Sequence, residues 1–241
     1  MTERAALITG GSSGIGLAIG RALGQDGYGI TLSARRPDKL EAAAQSLRDE
    51  GFDVAAVPAN MAQEEDIRRL AAAHRERFSR LDVLINNAGI GIGSAVADTV
   101  TKKLDLQLDV NLRGVYLMAR ECIPMLKEAG AEHGKALIAN TSSYAGKHGQ
   151  GWLSAYSATK FGVLGLSQAL HKELSGDGVQ VTALCPGFVA TDMTDWIEGQ
   201  VPKDEMIRAE DIGEAIRFVL RTSTHCIVPE IQFVRPGDSE L

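Results

Sequence analysis

The chain has 241 residues, 44% hydrophobic and 23% charged, with a formal net charge of −6. This is enough to bury the core of one large α/β domain or two small ones, and the acidic balance argues against nucleic acid or an anionic membrane as the main partner. No apolar run is long enough for a bilayer, no signal-peptide pattern opens the chain, and its three cysteines are odd in number and lack metal or redox spacing, so a reducing, cytoplasmic setting is expected.

Short β-rich runs alternate with longer helical ones. Ala5–Thr9 reads as a strand, and Ile15–Gln25 as a helix with Ile15, Ile19, Ala22 and Leu23 on one side. A strand at Ile30–Ser33 precedes a helix at Asp38–Glu50 that stops at Gly51. A strand at Val54–Val57, a charged helix at Glu64–Arg77 and a strand at Val83–Asn86 follow. A long helical region spans about Lys102–Leu126. Then come a strand at Ala136–Ala139, a helix at Leu153–Leu174, a strand at Val179–Leu184, a helix at Asp211–Leu220 and a strand at Ile231–Val234.

Strands separated by helices imply parallel pairing through right-handed crossovers. The strands are apolar almost throughout, as expected when helices cover both faces of the sheet. With no linker and no repeat, the expectation is one α/β domain over 1–241: a doubly wound, seven-stranded, mainly parallel sheet of Rossmann type. Its cofactor half is about 1–140 and its catalytic and substrate half about 141–235. Composition marks only the tail from Arg235 to Leu241 as a candidate for disorder, and Cys122, Cys185 and Cys226 are read as buried small hydrophobes.

Between the first strand and the first helix lies Thr9-Gly-Gly-Ser-Ser-Gly-Ile-Gly16. Gly10, Gly14 and Gly16 remove β-carbons where a turn is tight and a diphosphate comes close to backbone. The N–H groups and positive dipole end of the helix suit that anion, which places Ser12, Ser13 and Ile15 beside it. The spacing is neither G-x-G-x-x-G nor a phosphate-binding P-loop, and a bare turn is the alternative.

Five motifs in order carry a resemblance. T-G-x-x-x-G-x-G, Asn86-Asn-Ala-Gly89, Ser143, Tyr156-Ser-Ala-Thr-Lys160 and Pro186-Gly-Phe-Val-Ala-Thr191 are similar to those of the short-chain dehydrogenase/reductase family, over roughly Ala5 to Val234. The resemblance implies an NAD(P)-dependent oxidoreductase moving a hydride between nicotinamide and a carbonyl/alcohol pair, built as a homodimer or homotetramer, with no metal.

An NAD enzyme usually places a carboxylate about 20 residues past the glycine turn, at the end of the second strand. Ala34 stands there, followed by Arg35 and Arg36, whose guanidinium groups suit a 2′-phosphate. NADP(H) is therefore expected, with a small-molecule carbonyl or alcohol as the substrate. A solvated turn is the bland alternative for the two arginines. The resemblance also implies an adenine contact at Asn60 and the Met61 backbone, although Asn60 could instead cap the third helix.

Tyr156 and Lys160, four apart on a helix, share a face. A phenol titrates near ~10, and holding it near neutrality takes about 4 kcal/mol, which the neighbouring ammonium, aided by the positive nicotinamide ring of the oxidised cofactor, is expected to supply. Ser143 is the donor to the substrate oxygen; Ser142 is its neighbour, turned away by alternation. By resemblance Lys160 also binds the nicotinamide ribose, and Asn111 holds a helix distortion and a water that completes a proton relay. An exposed helix face is the bland reading of Asn111. Asn87, Ala88 and Gly89 are expected along the adenosine and ribose side, with Pro186 and Gly187 beside the nicotinamide. The Val189 backbone and Thr191 are expected on its carboxamide.

The substrate side is the least legible. Asp192–Glu210, with Trp196 and Pro202, is a candidate lid, and His148, Gln150, Trp152 and Leu153 are candidates for the mouth. A 3-oxoacyl-[acyl-carrier-protein] reductase is one alternative, opposed by Leu153 before the Tyr segment and by the acidic Asp177. A non-catalytic NADP(H)-binding sensor is another, opposed by the presence of both Tyr156 and Lys160.

Overall fold

The computed structural model describes residues 3–197, 199 and 201–236. Its strands are β1 (Ala5–Thr9), β2 (Gly29–Ser33), β3 (Val54–Ala56), β4 (Val83–Asn86), β5 (Ala136–Thr141), β6 (Val179–Pro186) and β7 (Glu230–Phe233). They form a single sheet of order β3-β2-β1-β4-β5-β6-β7, and every pairing is parallel. The helices are α1 (Gly14–Gln25), α2 (Pro37–Asp49), α3 (Glu64–Phe78), α4 (Thr101–Leu108), α5 (Gly114–His133), α6 (Ser154–Leu174) and α7 (Ala209–Arg221).

Strand alternation divides the core in two. Leu7, Leu84, Ile138 and Val181 face α3, α5 and α6, through Ile67, Leu117, Met118, Leu126 and Leu170 among others. Ala6, Ile8, Val83, Ile85 and Leu137 face α1, α2 and α7, through Ile19, Leu23, Leu40, Leu47, Ile212 and Ile216. Each strand thus presents apolar side chains to both layers, the reason these runs carry no polar alternation. Chain order reverses between β1 and β4, where an open α/β sheet leaves a crevice at its strand carboxyl ends.

Several boundaries differ from the expectation for local reasons. The long helical region runs on to His133, where Gly134 ends it in the left-handed conformation at φ 72°. It is also broken: a five-residue π-helical turn, Asp109–Arg113, separates α4 from α5. The last helix begins earlier, at Ala209, because Arg208 and Asp211 form a reciprocal cap. Cys122 and Cys185 are buried, but Cys226 is exposed in the turn before β7, which corrects the reading of all three as core. The tail beyond Pro236 lies outside the described residues.

Candidate active site

The crevice is walled by the ends of β1, β4, β5 and β6. Gly10, Ser12, Ser13, Gly14 and Ile15 line one side; Asn87, Ala88 and Gly89 line the floor; Ser143, Tyr156, Lys160, Pro186, Gly187, Val189 and Thr191 complete it. The sequence-predicted residues from five separate segments therefore meet in one cleft. Thr141, Ser142, Asp192, Met193 and Thr194 join them.

Thr9 at the tip of β1 ties the floor together. Its hydroxyl accepts from the Asn87 and Ala88 amides, each at 3.1 Å, and donates to the Ile85 carbonyl. The glycines answer to this close fit. A β-carbon at Gly10 (φ 66°) would sit 2.9 Å from Ala88, one at Gly14 (φ 53°) 2.7 Å from the Thr191 methyl, and one at Gly16 would overlap the Gly10 carbonyl oxygen. Gly16 is buried behind the turn rather than on the cleft wall.

The α1 N-terminus has no acidic side chain in its first turn, whereas α3 opens with Glu64, Glu65 and Asp66. An anion would therefore meet α1's positive end unopposed. Arg35 and Arg36 are exposed just past β2. Every other arginine among the described residues engages a partner in the protein. Two unspent guanidinium groups and no carboxylate at Ala34 fit a phosphorylated ribose. Asn60 does not cap α3, whose cap position is Gln63; its side-chain oxygen accepts from the Ala62 amide in a local turn. The neighbouring Met61 is buried, with its carbonyl packed against Gly114.

Tyr156 and Lys160 rise from the first turns of α6. The Ser143 hydroxyl accepts from the Ala145 amide at 3.1 Å, donates to the Pro186 carbonyl at 3.4 Å and lies beside the Tyr156 phenol. Ser142 turns the other way and donates to the Lys160 carbonyl at 2.8 Å, as strand alternation requires. The chain's own residues do not supply the expected acidification of Tyr156. Burial pushes the phenol above 10, and only Ser143 opposes it. The physical reason lies with Lys160, whose ammonium donates to the Thr141 carbonyl at 2.8 Å and stands 5.4 Å from the centre of the phenol ring. Burial brings Lys160 itself down to about 8.

Asn111 is fully buried, not on an exposed helix face. It sits in the π-helical turn, accepts from the Ile90 amide at 2.8 Å, and donates to the Ile90 carbonyl at 2.8 Å and to Thr159 at 3.2 Å. Thr159 in turn donates to the Tyr156 carbonyl at 2.7 Å. Gln107, one helical turn before Asn111 and also buried, accepts from the Ile92 amide at 3.0 Å. Neither Gln107, Thr141 nor Thr159 was singled out by sequence reasoning. A polar residue four positions before Asn111 was the available signal for Gln107; a carbonyl acceptor such as Thr141's has none.

Val189's carbonyl accepts from Thr194 at 2.8 Å, which leaves the amide as the polar group its main chain can offer. The candidate lid is pinned to this turn: Ile207 donates to the Phe188 carbonyl and accepts from the Ala190 amide. The Trp196 side chain lies outside the described residues. At the mouth, His148 stacks on Tyr144 at 4.5 Å, Gln150 donates its main-chain amide to Ser157, and Leu153 occupies the α6 cap position. Among the described residues no cluster of His, Cys, Asp or Glu could hold a metal, and no helix is long and apolar enough to cross a membrane.

Residues 4–201 match the family model described as short chain dehydrogenase. An uncharacterized oxidoreductase of Staphylococcus aureus (strain MRSA252) is 33% identical over 98% of both chains. A Streptomyces violaceoruber protein of the granaticin polyketide synthase, named for ketoacyl reduction, is 41% identical over 79% of this chain and 69% of its own. The X-ray structure of an alcohol dehydrogenase from the archaeon Thermococcus sibiricus, complexed with 5-hydroxy-NADP, superposes with a TM-score of 0.88 at 28% identity, covering 99% of this chain and 98% of that one.

Proposed function

The chain belongs to the short chain dehydrogenase family, and we propose that it is an NADP(H)-dependent oxidoreductase interconverting a carbonyl and a secondary alcohol, with Tyr156 as the proton carrier. The observation that carries this reading is the meeting of the Ser143 hydroxyl, the Tyr156 phenol and the buried amine of Lys160 in one cleft.

The bound cofactor supplies the hydride in reduction and the hydride acceptor in oxidation. Gly10, Ser12, Ser13, Gly14 and Ile15 would hold its diphosphate, with Gly16 keeping the turn tight. Arg35 and Arg36 would take the 2′-phosphate, Asn60 and Met61 would border the adenine, and Asn87, Ala88 and Gly89 would support the riboses. Pro186, Gly187, Val189 and Thr191 would hold the nicotinamide end, and Lys160 would reach its ribose.

Ser143 donates to the substrate oxygen and steadies the charge that grows on it. Tyr156 gives that oxygen a proton in reduction. Burial favours the protonated phenol, the form that can donate to that oxygen. Asn111 holds the Ile90 loop and Thr159 around this helix turn, on the path by which Lys160 is resupplied with protons.

A 3-oxoacyl substrate is the second reading, favoured by the ketoacyl reductase relative. Free cysteines support a cytoplasmic location, and the exposed Tyr116 and Phe161 on α5 and α6 support a homodimer or homotetramer. The test is Tyr156→Phe, followed by NADPH fluorescence and by NADPH oxidation on a panel of ketones. Retained NADPH binding with turnover lost by about a hundredfold or more is expected for removal of the general acid. An active Phe variant would overturn the assignment, and tight NADPH binding with no ketone turnover in the unaltered protein would favour the sensor.

A further inference from the structure

Large apolar side chains are exposed on the loops around the cleft: Trp152 at 58%, Met193 at 47% and Phe188 at 37%. Met193 is itself a wall of the cleft that contains Tyr156. Trp152 is the most constrained of the three. Its φ of 65° lies in the left-handed region, which a residue with a β-carbon adopts only when its surroundings hold it there.

The surroundings do hold it. The Trp152 carbonyl accepts from the Ser94 amide at 2.8 Å. Its indole lies so close on Gly93 that a β-carbon there would overlap the six-membered ring. Two residues earlier on the same loop, a β-carbon at Gly91 would be 3.7 Å from the Tyr156 ring. The indole and the phenol therefore both pack on one short glycine-bearing loop, and Trp152 as a residue is 58% exposed.

We propose that Trp152 is a specificity-determining residue that lays its indole against a flat, apolar ring borne by the substrate. This rests on the reading of Tyr156 as the centre of carbonyl chemistry. A partly exposed indole gains by burying further apolar surface and by ring–ring contact, not by binding a small polar ketone. The charge pattern agrees. Among the described residues the cleft is lined by one cation, Lys160, which is buried and engaged with Thr141, and one carboxylate, Asp192. A neutral, ring-bearing ketone suits that wall better than a substrate carrying a free carboxylate.

The experiment compares 1-tetralone with 2-butanone on wild type, Trp152→Gly and Trp152→Phe. Glycine adopts a positive φ readily, so Trp152→Gly deletes the ring without straining the turn, and thermal melting verifies the fold. Calorimetry with NADP⁺ present measures ketone binding without turnover, and initial rates with NADPH give kcat and KM. The expected result is a rise of about tenfold or more in the tetralone Kd and KM for Trp152→Gly, with Trp152→Phe staying within about threefold of wild type. The tetralone-to-butanone ratio of kcat/KM should fall by a similar factor. An unchanged ratio and Kd in Trp152→Gly, an equal loss on both ketones, or no tetralone binding by wild type would overturn the proposal. Binding that depends on Trp152 without NADPH oxidation on any ketone would uphold the ring site while defeating the carbonyl-reductase reading.

Discussion

The ammonium of Lys160 donates to the main-chain carbonyl of Thr141 at 2.8 Å, so the amine is anchored to the end of β5 rather than to the phenol four residues before it. Its charge is buried, and that is why it titrates near 8 rather than 10.5. At pH 7 the amine is protonated and available to restore a proton to the site; above 8 it is largely neutral.

Reduction should therefore weaken as pH rises through about 8, read as a falling limb in the pH profile of kcat/KM. The same shift sets a stability effect of known sign. Between about 8 and 10.5 the unfolded chain holds more protons at this position than the folded one, so the cost of the buried charge is complete below 8 and disappears by 10.5. Lys160→Met should lose turnover yet melt higher than wild type at pH 7, with the gap closing towards pH 10.5. A lower melting temperature at pH 7 would show that the Thr141 hydrogen bond outweighs the buried charge.

Much of this site was legible in the sequence because it depends on residue type at the ends of predicted strands. Alternation turned Ser142 and Ser143 to opposite sides, and the structure joins Ser142 to the Lys160 carbonyl. The glycine turn was legible as tight, but not that its tightness comes from Ala88, Thr191 and its own Gly10 carbonyl, since those approaches are set by tertiary packing. That the chain's own residues do not lower the Tyr156 pKa was not legible for a related reason. Four-residue spacing puts the ammonium on the same helix face, but only the fold shows a carbonyl taking it and burial outweighing it. The burial of Asn111 was likewise out of reach, because a helix pattern does not show which polar face meets a loop.

Arg35→Ala should weaken NADPH binding by roughly tenfold to a hundredfold, the range for a lost charge-assisted hydrogen bond, and change NADH binding by less than about twofold. The exposure of Arg35 and its lack of an ion-pair partner among the described residues mean that its removal leaves no buried charge behind. Fluorescence titration with each cofactor checks this, and equal weakening of both would defeat the 2′-phosphate assignment.

His74 gives the fold an acid-sensitive point away from the cleft. Buried between α3 and β2, its Nδ1 accepts from the Thr31 hydroxyl at 2.7 Å and its Nε2–H donates to the Arg80 carbonyl at 2.9 Å. Burial lowers its pKa from 6.5 to about 4. The unfolded chain therefore binds the extra proton first, and stability is full above pH 6.5 and lost as pH falls towards 4. The loss amounts to about 3 kcal/mol for a shift of this size. Urea midpoints measured from pH 7 to pH 4 should fall in wild type and fall less steeply in His74→Gln. Parallel slopes would remove His74 as the cause.

Gln107 and Asn111 hold the loop after β4 as a pair. Asn111 takes both main-chain polar groups of Ile90, and Gln107 takes the Ile92 amide, so the peptide between them is fixed across Gly91, which packs on the Tyr156 ring. Gln107→Leu keeps a side chain of similar volume but leaves the Ile92 amide unpaired, a loss of about 1–3 kcal/mol from the loop's closed geometry. The 90–93 stretch borders Tyr156 and Trp152, whereas the glycine turn meets Asn87 and Ala88 before it, so substrate KM should rise while NADPH affinity stays within about twofold. Gln107→Glu retains an acceptor for Ile92 and should recover most of the KM. A uniform drop in stability with KM unchanged would mean that Gln107 supports the helix alone. A shift in KM that the Glu variant rescues is what the hydrogen bond to Ile92 requires, because that variant keeps the acceptor and alters only the charge.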